Sequence, residues 1–195
     1  MSLQLIAPCS FEETIRRSRF RAYAAPIQSE ADTLRVYEQE ADPGANHNCW
    51  AWRLDGRGRF NDDGEPAGSA GRPMLALLES RDLDGVMVIV TRYFGGIKLG
   101  VGGLIRAYGG SAGKCLDQGE WQKKVRWLRC ELVADFDLSG TVHQLLDRYG
   151  AEKQSESFSE RGMVLQLSLT ESSLEPLRKD LAEASRGQAK LWLSR

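Results

Sequence analysis

Net charge, long apolar runs and metal-ligating side chains are all scarce in this sequence. Its 26 lysines and arginines face 27 aspartates and glutamates, for a formal net charge of −1. That balance excludes bulk attraction to nucleic acid or to an anionic membrane, so any nucleic-acid contact must come from a local basic patch. No apolar run approaches the roughly 20 residues of a membrane span. Met1 to Ser10 lacks the basic start and long apolar core of a secretory signal. The four cysteines, Cys9, Cys49, Cys115 and Cys130, are widely separated and form no C-x-x-C. They read as free thiols of a reducing compartment, which points to the cytoplasm. Only His47 and His143 could supply imidazole, and neither stands at zinc-finger spacing from a cysteine. No cysteine cluster suggests an iron–sulfur centre. No bound metal and no cofactor is therefore expected.

What is present is enough for two domains: 195 residues, 42% of them hydrophobic. The organising stretch is VIVTRYFGGIKLGVGGLIRAYGGSA, from Val88 to Ala112. An apolar run, Val86 to Val90, predicts a strand. It passes through Arg92, Tyr93 and Phe94 into a turn holding Gly95, Gly96, Gly100, Gly102 and Gly103. Leu104 to Leu116 then predicts a helix. A strand, a glycine-rich turn and a helix N-terminus can turn backbone N–H groups toward an anion, with Lys98 and Arg106 beside them. Neither phosphate fingerprint is complete. Val101 and Gly102 stand where the P-loop needs Lys and Ser or Thr, and Ile105 where the dinucleotide motif needs its third Gly. A tight packing turn and an anion or partner site both remain open on spacing alone.

Upstream, Arg16, Arg17, Arg19 and Arg21 crowd a short span. Arg19 to Ile27 reads as a strand stopped near Pro26, and the four arginines are either an RNA-facing edge or the charges of a solvated edge strand. Ser29 to Ala41 predicts a helix with Ser29 as N-cap, Asp32 in the box position, and Leu34 and Tyr37 on its apolar face. Asn46 to Leu54 predicts a strand that alternates Cys49, Ala51 and Arg53 against Trp50, Trp52 and Leu54. A hairpin turn at Asp55 to Arg59 follows. Pro73 opens a helix running to Ser80. The polar segment Gly119 to Arg126 separates two apolar blocks, so domains of 1–120 and 121–195 are expected. The second block predicts strands at Trp127–Phe136, Ala151–Phe158, Met163–Leu169 and Ala189–Leu193. Its helices fall at Asp137–Tyr149 and Ser172–Ser185, the latter with Ser172 and Glu175 as a capping box. The order βαββαβ is the ferredoxin-like arrangement.

Two constellations could carry chemistry. His47 and Cys49 lie on one strand face about 6–7 Å apart, too far for a direct hydrogen bond, so Cys49 reads as a core thiol. Asp62, Asp63 and Glu65 could together hold Mg²⁺, or could cap backbone N–H groups in a turn. Asp63 or Glu65 could also bridge to Arg92, Lys98 or Arg106 and fix both loops. Tyr93, Phe94 and Tyr108 beside that positive charge suit stacking on exposed bases, or an ordinary core.

NHNCWAWR, NDDGEPAGSAGRPML and the glycine-rich stretch closely resemble the YigZ/IMPACT family from about Ser18 to Leu116. Ser69 stands where Thr is usual, and Trp50 where Tyr is frequent. The resemblance implies an N-terminal α/β domain of the kind found in a ribosomal protein and in domain IV of elongation factor G. The C-terminal block is similar to the last domain of elongation factor G. Eukaryotic relatives are linked to control of translation through partners of an initiation-factor kinase pathway. The positions matching the family's motifs are His47, Asn48, Cys49, Asp62, Asp63, Gly64, Glu65 and Pro66 in the first half. They continue with Arg92, Tyr93, Phe94, Gly95, Gly96, Lys98, Gly100, Gly102, Gly103, Arg106 and Tyr108. The expected function is a cytoplasmic binding protein on the translation apparatus, touching RNA or a ribosome-associated partner and no membrane. In it Arg92, Lys98 and Arg106 meet phosphate and Tyr93 or Tyr108 stacks. The alternatives are a phosphate- or nucleotide-binding enzyme with Mg²⁺ on the Asp62–Glu65 turn, or a pure protein-interaction module.

Overall fold

Val86 to Val90 is apolar at every position because both faces of its strand are covered. The structure, a computed structural model, describes residues 2–159 and 162–194. It divides into two units, Met1–Lys124 and Val125–Arg195. In the first, β1 (Leu3–Leu5), β2 (Cys9–Ile15), β3 (Ser18–Pro26), α1 (Glu30–Glu40), β4 (His47–Leu54) and β5 (Arg57–Asn61) come in order. They are followed by α2 (Gly71–Ser80), β6 (Val86–Tyr93), α3 (Val101–Leu116) and β7 (Trp121–Lys123). An antiparallel five-stranded sheet runs β2-β3-β6-β4-β5. Successive side chains of a strand point to opposite faces. Val86, Val88 and Val90 therefore join Phe20, Ala22, Cys49 and Ala51 in the core that receives Met74 and Leu78 of α2 and Leu104, Tyr108 and Ala112 of α3. Met87 and Ile89 join Trp52 and Leu54 on the other face, beneath Val36 and Tyr37 of α1.

The capping box of α1 forms as the sequence predicts: Ser29 accepts from the Asp32 amide, and Asp32 accepts from the Ser29 amide. Leu34 does not join its packed face; it is 66% exposed, and Thr33 is the residue buried there. The buried row of a helix runs in steps of three and four, and Thr33, Val36 and Tyr37 satisfy it where Leu34 does not.

Two expectations change. Arg19 to Ile27 is not an edge strand, because β2 pairs with β3 along its whole length and takes the outer position. The polar outward positions of β2, Ser10, Glu12 and Thr14, hide it from a hydrophobicity reading. Arg16 and Arg17 become the two-residue turn between β2 and β3, both with positive φ (45° and 69°). The glycine-rich helix starts at Val101, not Leu104, so Gly102 and Gly103 lie in its first turn and Gly100 is its N-cap.

β7 pairs with β1, which ties the polar segment after Gly119 to the first unit. The second unit contains β8 (Trp127–Ala134), a 3₁₀ turn (Phe136–Leu138), α4 (Ser139–Arg148), β9 (Glu152–Ser159), β10 (Gly162–Thr170), α5 (Glu171–Ala184) and β11 (Lys190–Leu193). Its antiparallel sheet runs β11-β8-β10-β9, giving the order βαββαβ. Val142, Leu146, Leu174, Leu177 and Leu181 fill a separate core against it. The predicted Ser172 box is replaced by Thr170 as N-cap, whose hydroxyl meets those of Ser172 and Ser173. Among the described residues no helix is long and apolar enough to cross a membrane.

Candidate functional site

Where β4 begins and β6 ends, His47 stands opposite Arg92. The turn after β5 and the loop from Phe94 to Gly100 close over these strand ends. A cavity of about 450 Å³ lies between them, lined by the ionisable side chains His47, Glu65, Arg92 and Lys98 and by Phe94, Leu99 and Val101 among others. Arg92 continues the parity of Val86, Val88 and Val90, so its side chain lies on the covered face and is only 5% exposed. One guanidinium nitrogen donates to Glu65 Oε1 at 2.7 Å, and the Tyr108 hydroxyl donates to the same oxygen at 2.7 Å. Phe20 and Phe94 hold the guanidinium between them, their ring centres 5.6 and 5.4 Å from its carbon. Arg92 Nε is buried without a hydrogen-bond partner. His47 Nδ1 donates to the Asp63 carbonyl at 2.7 Å, which fixes the ring and leaves Nε2 3.9 Å from Glu65 Oε1.

The acidic turn serves backbone groups. Asp62 accepts from the amides of Gly68, Ala70 and Gly71 at 2.7, 3.0 and 2.8 Å, organising the start of α2. Asp63 accepts from the Asn48 amide. Glu65 turns inward to Arg92. The three carboxylates point to three different places, and among the described residues no group of His, Cys, Asp and Glu is placed to hold a metal ion. The Mg²⁺ site of the alternative reading is not formed. Cys49 is fully buried and its thiol donates to the Asp62 carbonyl. Burial pushes that thiol up to about 12, which keeps it protonated and unsuited to nucleophilic work.

The predicted ligand residues separate. Glu65 and Arg92 do bridge the two loops, but Arg92 is committed to that ion pair and does not reach outward. Tyr108 is fully buried and cannot stack on a base. Tyr93 lies on the opposite sheet face, its hydroxyl on Asp42 and its ring under Arg19. Lys98 and Arg106 are both exposed, yet line different depressions that share Leu99; Arg106 shares its own with Arg16. Gly95 is a packing glycine, since a Cβ there would sit 1.9 Å from the Arg17 carbonyl oxygen. Gly100 and Gly96 take positive φ at the loop's two bends. Gly102 and Gly103 keep the first turn of α3 bare. Of the three aromatics read as either stacking on bases or filling a core, Phe94 is the exposed one, 45% exposed at the cavity mouth. Arg16 and Arg17, read with Arg19 and Arg21 as an RNA-facing edge or a solvated one, stand apart from those two at the β2–β3 hairpin turn.

The fold and this cleft define a two-domain α+β protein with a loop-and-helix cleft at one end of its larger sheet. The Impact N-terminal domain family matches residues 16–116, and a domain of unknown function (DUF1949) matches residues 132–188. The chain is 40% identical over 180 residues to an IMPACT family member of Thermus thermophilus, covering 92% of this chain and 98% of that protein. It is 33% identical over 192 residues to the IMPACT family member YigZ of Escherichia coli, covering 95% and 94%. Protein IMPACT of Xenopus laevis is 39% identical over 107 residues, 49% of this chain and 34% of that protein. A crystal structure described as that of a hypothetical protein superposes with a TM-score of 0.70 at 30% identity, covering 100% of this chain and 97% of that one. The chain belongs to the IMPACT family.

Proposed function

We propose that this protein is a cytoplasmic binding protein that acts in the regulation of translation by contacting RNA, on the ribosome or beside it. One observation carries the reading. Arg16, Arg17, Lys98 and Arg106 are exposed, gather around the Phe94–Gly100 loop and the start of α3, and form no ion pair among the described residues. A chain with a net charge of −1 thus concentrates unneutralised positive charge at one place. Exposed Phe94 supplies a ring beside it for a base to stack on. The translation setting rests on the family resemblance of the motifs that build this surface. Co-sedimentation with purified ribosomes tests it. The protein is expected to pellet with ribosomes at low salt, and Arg16→Ala/Arg17→Ala/Lys98→Ala/Arg106→Ala is expected to stay in the supernatant. Equal pelleting of the two proteins would count against the surface, and no pelleting at low salt against the function.

A further inference from the structure

Two of the four cysteines meet in the first unit. Cys9 opens β2, and Cys115 stands one residue from the end of α3. They are 106 positions apart in the chain, yet their sulfurs are 3.9 Å apart. The Cys115 thiol also lies 3.4 Å from the Cys9 carbonyl oxygen, to which it donates. A disulfide holds its sulfurs at about 2.05 Å, so an approach of roughly 2 Å closes the gap. Both residues sit near the ends of their elements, where the backbone yields most easily. The two thiols differ in access. Cys9 is partly exposed and within reach of a small oxidant, whereas Cys115 is fully buried against it. Burial pushes both thiols up, and the hydrogen bond from Cys115 pulls Cys9 part of the way back. Cys9 is therefore the first to ionise and react. Cys49 and Cys130 have no cysteine partner among the described residues. Cys49 donates to the Asp62 carbonyl, and Cys130 lies in the core of the second unit.

We infer that Cys9 and Cys115 form a reversible disulfide site, closed by a hydroperoxide and reopened by a dithiol. The Cys9 thiolate attacks one oxygen of hydrogen peroxide. The O–O bond breaks, and the departing hydroxide takes up the thiol proton as water. The Cys115 sulfur then attacks the Cys9 sulfenic acid. The S–S bond forms as the S–O bond breaks, and a second water leaves with the Cys115 proton. Two thiols lose two electrons and one peroxide gains them. Because Cys115 is already in contact, it consumes the sulfenic acid before a second peroxide carries Cys9 further up the oxidation ladder. In a reducing compartment such a bond is transient. While closed, it ties the start of β2 to the end of α3 and spans most of the first unit. Cross-links over long loops remove the most freedom from the unfolded chain. The site does not rest on RNA contact, since Cys115 lies about 21 Å along α3 from Val101.

Peroxide treatment of the reduced full chain, followed by thiol titration in denaturant, intact mass and peptide mapping, tests it. Half of the four thiols are expected to disappear, with one cross-linked peptide joining Cys9 to Cys115 and no oxygen added to either. The oxidised chain is expected to melt higher by on the order of 10 °C, and dithiothreitol to reverse the shift. Cys9→Ser, at a partly exposed position, is expected to fold, keep its remaining thiols and show no shift. The mapping is made on the unaltered chain, so it depends on no variant. Four thiols surviving peroxide overturn the proposal. So does Cys9 converted to sulfinic acid with Cys115 still free, and so does a cross-link between chains instead of within one. A mapped Cys9–Cys115 bond that lowers the melting temperature also overturns it, because such a bond strains the fold instead of fitting it.

Discussion

Glu65 holds the cleft together because one of its oxygens serves two buried donors, Arg92 and Tyr108. Removing one partner of a buried ion pair leaves an uncompensated charge, at a cost of about 3–5 kcal/mol. Glu65→Ala is expected to destabilise the first unit by that order in urea unfolding, and Glu65→Gln, which keeps an acceptor, by less. A loss below about 1 kcal/mol for the alanine variant would make the pair a surface-like contact. Asp42 gives a second test at this scale. Hydrogen bonds from the Tyr93 hydroxyl and the Gly44 amide hold its carboxyl below the usual carboxylate range. The folded state therefore favours the carboxylate. Its contribution is present above the unfolded value and is lost as pH falls through the folded one. Tyr93→Phe is expected to move the Asp42 titration upward when followed by carboxyl NMR, and an unmoved curve would contradict the assignment. The sequence allowed a bridge from Asp63 or Glu65 to Arg92, Lys98 or Arg106 without choosing among them, but the burial of Arg92 could have been read from it. Val86, Val88, Val90 and Arg92 share one strand parity and Tyr93 the other, which puts the arginine under cover and the tyrosine across the sheet. Tyr108 lies four residues from both Leu104 and Ala112, on the apolar stripe of α3.

At the scale of elements, local chemistry was legible where it was self-contained. The box on α1, the aromatic strand β4 and the apolar β6 each announce themselves within a few residues. β2 does not, because its outward side chains are polar and its place at the sheet edge depends on pairing with β3. The start of α3 does not either: two glycines are poor helix formers, and only Gly100 at positive φ and the packing of Leu99 against Gly103 reveal a helix beginning at Val101. Asp62 is the hinge between turn and helix. Asp62→Ala withdraws the acceptor from three amides ahead of and within the start of α2. An expected loss of about 1–2 kcal/mol, the range of N-cap deletions, is measurable by thermal or urea unfolding. Unchanged stability would mean that water replaces the carboxylate at no cost.

For the whole molecule, the two apolar blocks of the sequence become two separate units, the first with a core on each face of its sheet, and the order βαββαβ of the second was readable from periodicity alone. The proposed surface was only half readable: the sequence raised the arginines near residue 16 and the loop near residue 98 separately, and only the sheet brings them together. Its charge is local, against an overall balance near zero. The most direct measurement is the affinity for a labelled single-stranded RNA across a salt series. The account predicts a linear fall of log affinity with log salt. Its slope should be about −2 to −3 for three to four phosphate contacts on a single strand, and nearly flat in Arg16→Ala/Arg17→Ala/Lys98→Ala/Arg106→Ala. RNA affinity absent at low salt, or a slope the fourfold variant leaves intact, would contradict it.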